Sequence, residues 1–170
     1  MASLGFVRHS KLHAFFEAVI TNFLVVSLER ENLRDTLSHF PLSDKKFGKM
    51  EFVRALSLLS ERPLKFISAL SELRNRLVHD VKNVNFDLKV YVGGLDSNQL
   101  KNFKRSFGFF FESIENGEAE LSRLLVESPK IIVLISAYEC LMQIHFKKQD
   151  ARIQRMDAEL ARLVYERHRE

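Results

Sequence analysis

Pro63-Leu64-Lys65-Phe66-Ile67-Ser68-Ala69-Leu70-Ser71-Glu72-Leu73-Arg74-Asn75-Arg76-Leu77-Val78-His79 is the stretch that decides how this chain folds. Leu64, Ile67, Leu70, Leu73 and Leu77 recur at three- and four-residue steps, the period of one face of an α-helix turned to a core. Pro63 suits the first turn, where its missing N–H and fixed φ are tolerated. The pattern stops near His79, where Asp80 opens an irregular polar connection. Arg74, Asn75 and His79 therefore gather at the end of this helix, beyond what a simple cap requires.

Helical periodicity extends both ways from this stretch. Leu12, Phe15, Phe16, Val19, Ile20, Phe23 and Val26 predict a first helix over about 7–37. Phe40-Pro41-Leu42-Ser43-Asp44 breaks it, and Ser43 or Asp44 can cap a second helix over about 44–60, with Phe47, Met50, Val53, Leu56 and Leu58 inward. Downstream, the weak alternation at 86–92 and the Gly93-Gly94 pair predict a short hairpin over 84–94. A fourth helix starts at Asp96 or Ser97, carries Leu100, Phe103, Phe107, Phe110, Phe111 and Ile114, and ends at Asn116-Gly117. A short helix follows over about 118–127, and Ser128-Pro129 opens a long last one. Its first part, 131–146, is apolar nearly all round and is expected at the centre of the core. Its second part is charged, with Ile153, Met156, Leu160 and Leu163 on a narrow seam. The reading is all-α: a single domain, 1–170, of five to six helices plus the short hairpin.

Composition narrows the function. The chain has 170 residues, 46% hydrophobic and 28% charged, with six Gly and three Pro, an ordinary globular mixture. A net charge of +4 is compatible with an anionic partner and proves none. Cys140 is the one cysteine, so no intrachain disulfide and no zinc spacing exists, and its apolar surroundings predict an inert thiol. The beginning lacks the pattern of a secretory leader, and 131–146 is short for a span and holds Glu139, Gln143 and His145. A cytoplasmic protein with no membrane association is expected.

Arginine followed by four residues and histidine occurs three times, at Arg8–His13, Arg34–His39 and Arg74–His79, so the bare spacing is weak. Only the third has asparagine beside the arginine and a polar connection behind it. Arginine binds and neutralises phosphate, and histidine moves protons near neutral pH. On a continuous helix, residues five apart point about 140° away from each other. Arg74 and His79 converge only if the helix ends between them or if a second copy completes the site across a two-fold axis. Without such convergence His79 reads as a helix cap. His9, His13 and Glu17 share a helix face and read as a polar surface. Phe109-Phe110-Phe111 reads mainly as core, and Lys147, Lys148, Arg152, Arg155 and Arg162 read as a charged face.

The segment from Leu73 to His79 resembles the Arg-Asn-x3-His signature of the HEPN superfamily, and Phe47-Gly48-Lys49-Met50-Glu51-Phe52 and Ala55-Leu56-Ser57-Leu58-Leu59 resemble the part upstream of it. The resemblance implies an HEPN-like helical bundle that forms a homodimer and acts as a metal-independent endoribonuclease. Arg74 and His79 would be catalytic, with Asn75 in support, and no cofactor or metal would take part. The substrate would be single-stranded RNA, cleaved to a 2′,3′-cyclic phosphate. The setting would be that of a toxin or phage-defence effector, with a cognate antitoxin or regulatory protein as partner. Members paired with nucleotidyltransferase antitoxins carry tyrosine two residues after the histidine; here Val81 stands there. Leu73-Arg74, Leu77 and His79-Asp80 are also similar to the mannitol operon repressor family, which implies a non-catalytic regulatory or partner-binding role instead.

Overall fold

The computed structural model describes residues 4–44, 46–79 and 86–169; for residues 4–10, 78 and 79 it describes the helical backbone alone. Among the described residues eight α-helices follow one another: α1 Leu4–Leu28, α2 Arg34–His39, α3 Lys49–Ala55, α4 Glu61–His79, α5 Leu88–Gly93, α6 Ser97–Phe107, α7 Gly117–Glu127 and α8 Pro129–Arg167. Tight 3-10 turns occupy Glu31–Leu33 and Phe109–Ser113, and no strand occurs among the described residues.

The all-α class holds, but the expected HEPN-like bundle of five to six helices with a hairpin does not. The first helix breaks early because Glu29 takes a left-handed φ of 56°, which no α-helix continues through. Asp44 does not cap a helix. Its carboxylate accepts the N–H groups of Lys46 and Phe47, both at 2.8 Å, and makes a turn. α3 is therefore short, and Phe47 and Leu56, expected inward, are exposed.

The hairpin over 84–94 is replaced by α5 where it can be seen; residues 84 and 85 lie outside the described residues. The Asp87 side chain accepts from the N–H groups of Lys89 and Val90, an N-cap that commits the backbone to a helix. Leu88 and Val92 then face inward one turn apart, so the apparent alternation was helical spacing. Gly94 caps the helix end instead of turning a hairpin. The fourth predicted helix likewise stops at Phe107. Its start is as read: Asp96 and Gln99 form a reciprocal capping box.

One core joins these elements. α1 packs on α2, α3, α4 and α8, and α8 also meets α4, α5, α6 and α7. Phe66 of α4, fully buried, lies at the junction. Its ring sits 5.4 Å from Phe16 of α1, 5.7 Å from Phe107 of α6 and 6.2 Å from Phe109, each edge-on or nearly so. Ser136 is buried in α8 and donates to the Phe107 carbonyl, an acceptor left open at the end of α6. Cys140 is also buried, and burial pushes its thiol well above the usual range. Lys11–Leu28 of α1 is the one described segment long and apolar enough to cross a membrane. Its Phe16, Ile20, Phe23 and Leu24 are core residues.

α8 is not the all-round core helix its sequence predicts. Ile132, Val133, Ala137, Cys140 and Ile144 are buried, but Leu134 and Tyr138 on the other side are exposed.

Gly117 marks a close approach. A Cβ there would lie 1.8 Å from the Phe111 carbonyl oxygen, so α7 starts directly against the 3-10 turn. Gly117→Ala is expected to lower the unfolding free energy by roughly 2–4 kcal/mol through forced backbone displacement. Gly93→Ala, where a Cβ meets nothing within 4 Å, should stay within about 0.5 kcal/mol of wild type in the same urea titration.

Candidate functional site

The phase of α4 sets where its polar residues go. Leu70, Leu73 and Leu77 are buried, so Arg74 falls at the edge of the buried stripe and is half-buried, with Asn75 and Arg76 outside. Arg74 Nη1 donates to Asn75 Oδ1 at 3.1 Å. Among the described residues no carboxylate pairs with Arg74, so its remaining N–H groups can take an anion. Arg76 points elsewhere. It donates to the Tyr91 hydroxyl at 3.2 Å and lines a shallow cleft of about 160 Å³ with Glu72, Gln99 and Asn102. That cleft is on the side of α4 away from Arg74 and is smaller than the roughly 300 Å³ at which small-molecule pockets begin.

His79 is the last residue of α4, and its side chain lies outside the described residues. The helix runs unbroken from Glu61 through His79. The helix end that would let Arg74 and His79 converge within one chain is therefore absent, and on one continuous helix they point about 140° apart.

The fold instead brings near Arg74 a histidine that the sequence reading placed, with Glu17, on a polar surface. His13 of α1 is half-buried. Burial lowers its pKa most, and the positive charges of Arg74 and Lys49 lower it further, while Glu17 pulls it back up. Lys49 is only 1% exposed, and its Nζ lies 3.6 Å from Glu17 Oε1 and 3.3 Å from the Ser38 carbonyl oxygen. Burial pushes the Lys49 ammonium below the ordinary lysine range, and Glu17 opposes the shift. Lys49 is held there by backbone: its N–H bonds to the Pro41 carbonyl at 2.9 Å, and a Cβ on the preceding Gly48 would lie 2.4 Å from the Asp44 carbonyl oxygen. His13 thus lies within the electrostatic reach of two cations, Arg74 and Lys49, and of one carboxylate, Glu17, and only Lys49 is seen paired with that carboxylate.

Other candidates resolve plainly. His39 Nδ1 bonds the Asp35 carbonyl oxygen at 2.6 Å, and Arg34 pairs with Glu31, so the Arg34–His39 pair caps α2. Phe109 and Phe111 are buried and Phe110 packs on the core, which leaves those rings no face for a base. The side chains of Arg8 and His9 lie outside the described residues; among those described, no three His, Cys, Asp or Glu cluster as metal ligands. No family model, curated protein or solved structure matches the chain.

Two measurements probe this cluster. Glu17→Gln leaves a buried ammonium with one carbonyl partner. It should lower stability by about 1–3 kcal/mol, less than for a fully buried pair because Glu17 is 37% exposed. Lys49→Met should lower it less. For His13, the unfolded chain takes up its proton near the ordinary pKa of about 6.5 and the folded chain at a lower pH. Stability should therefore be full above that value and fall as pH drops toward the lowered folded value, then level off. His13→Gln should remove that part of the slope in urea titrations between pH 7.5 and 5.5.

Proposed function

We propose that the chain is a metal-independent endoribonuclease of the kind implied by the Arg-Asn-x3-His motif, acting on single-stranded RNA. The observation that carries this reading is Arg74: a half-buried guanidinium with no carboxylate partner among the described residues, oriented by Asn75 and close enough to His13 to act on its proton affinity. A structural arginine at such a place is ordinarily neutralised by a carboxylate.

Arg74 binds the phosphoryl oxygens and offsets the charge they gain. The ribose 2′-OH attacks the adjacent phosphorus. The P–O2′ bond forms as the P–O5′ bond breaks, leaving a 2′,3′-cyclic phosphate and a 5′-OH. One histidine takes the 2′-OH proton and another gives a proton to the departing 5′-oxygen. His79 fills one of these roles. Because α4 is continuous through His79, the Arg74 of one copy works with the His79 of another, across a two-fold homodimer. His13, biased toward the neutral form beside Arg74, is a proton acceptor already in that neighbourhood. Single-stranded RNA fits because its sugar is free to align for in-line attack. The setting that fits such a nuclease is a cytoplasmic toxin or phage-defence effector, held in check by an antitoxin or regulatory protein. The same cluster also favours a second reading, a regulator that binds without cutting.

The test incubates purified protein with single-stranded RNA in EDTA. Wild type should cleave to cyclic-phosphate ends. Arg74→Ala and His79→Ala should each lose about 100-fold or more in rate. Retained cleavage in His79→Ala would remove it from the proton path. RNA bound and left intact, with affinity falling at higher salt and in Arg74→Ala, selects the binding reading.

A further inference from the structure

α8 has two apolar faces, and the bundle uses one. By helical geometry at about 100° per residue, buried Val133, Ala137, Cys140 and Ile144 lie on one side. Leu134, Tyr138 and Phe146 lie on the other, at 57%, 65% and 58% exposure. Ile153, Met156, Leu160 and Leu163, at 56–69% exposure, continue the same line. The seam read from sequence is therefore the lower part of a longer stripe, running about 44 Å along one helix face. Arg155 is the last tether: it pairs with Glu29 at 2.6 Å and donates to the Val26 carbonyl. Past it, every described residue of α8 is exposed.

We infer that this stripe is a self-association surface, on which a second copy of the chain lies with its α8 parallel and in register. Seven large apolar side chains, Leu134, Tyr138, Phe146, Ile153, Met156, Leu160 and Leu163, each stand more than half exposed along it, more than the scattered single apolar residues of an ordinary surface. The bundle packs on the opposite face of α8, so two bodies fit on the outside of the helix pair. Charge sets the orientation. Asp150 and Asp157 flank one edge of the seam, Arg152 and Glu159 the other, and none of them makes an ion pair within the described chain. In a parallel pair Arg152 of each copy faces Asp157 of the other, and no like charges meet. Antiparallel pairing sets Asp150 against Asp157, or Asp157 and Glu159 against themselves. Gln149 falls in the seam, and in register the two amides satisfy each other. This pair supplies the two-fold axis that the ribonuclease reading calls for, so one dimer serves both, but the inference does not rest on that reading, and its test reads mass instead of cleavage.

The full chain at about 50 μM should give a dimer mass by light scattering. Met156→Asp with Leu160→Asp should give a monomer of unchanged helicity, since neither side chain is used by the bundle. Arg152→Asp should weaken the dimer about tenfold, and Asp157→Arg added to it should restore the affinity. Leu163→Cys should oxidise to a covalent dimer, with buried Cys140 silent. A monomeric wild type, or a dimer untouched by the double aspartate variant, overturns the surface. Failure of the charge swap to restore affinity overturns the parallel register. A monomer that sediments with phosphatidylcholine–phosphatidylglycerol vesicles overturns the proposal in favour of a lipid face.

Discussion

The structure depends first on one ring. Phe66 is fully buried and touches Phe16, Phe107 and Phe109, so a single side chain of α4 meets α1, the end of α6 and the turn that follows. Edge-on aromatic contacts each add about 0.5–1.5 kcal/mol beyond the apolar area they bury. Their larger effect is geometric. With Phe66, Leu70, Leu73 and Leu77 turned inward, the rotation of α4 about its axis is set, and Arg74 has nowhere to go but the edge beside α1 and α3. The placement of Arg74 is a consequence of that packing phase.

How far the sequence could be read follows from what periodicity encodes. It marks apolar faces well: α4, the capped start of α6 and the Ser128-Pro129 start of α8 were all legible. It does not mark where a helix stops when the break is a backbone conformation. Apolar spacing continues through Glu29, yet a left-handed φ ends α1 there. Nor does it separate a half-turn of alternation from a short helix, which is why Asp87 and its two captured N–H groups decide the 88–93 segment. An all-round apolar helix is also ambiguous, since two apolar faces look the same whether both are buried or one waits for a partner. α8 is the second case.

The site was legible on one helix and hidden across three. Arg74 and Asn75 stand together in sequence, and their functional reading needs only side-chain chemistry. His13, Glu17 and Lys49 come from α1 and the start of α3, and only tertiary packing brings them to Arg74. The signal that could have found them is weak but physical. Lys49 stands between Gly48 and Met50, at a helix start where Met50 is buried, and a lysine beside a tightly packed glycine has little room to reach water.

A buried ammonium is a poor device for stability alone. Taking it out of water costs several kcal/mol, which the attraction of a partly exposed Glu17 at 3.6 Å does not reliably return. Its effect on the neighbouring groups is clearer. Burial does most to disfavour a proton on His13, Arg74 and Lys49 each disfavour it further, and Glu17 opposes them. An arriving phosphate would reverse that balance: it would satisfy Arg74 and, by its own negative charge, raise the proton affinity of His13. Under the proposed function the cluster would couple anion binding to protonation of a histidine, the property that both chemistry on a phosphate ester and pH-dependent binding of one require.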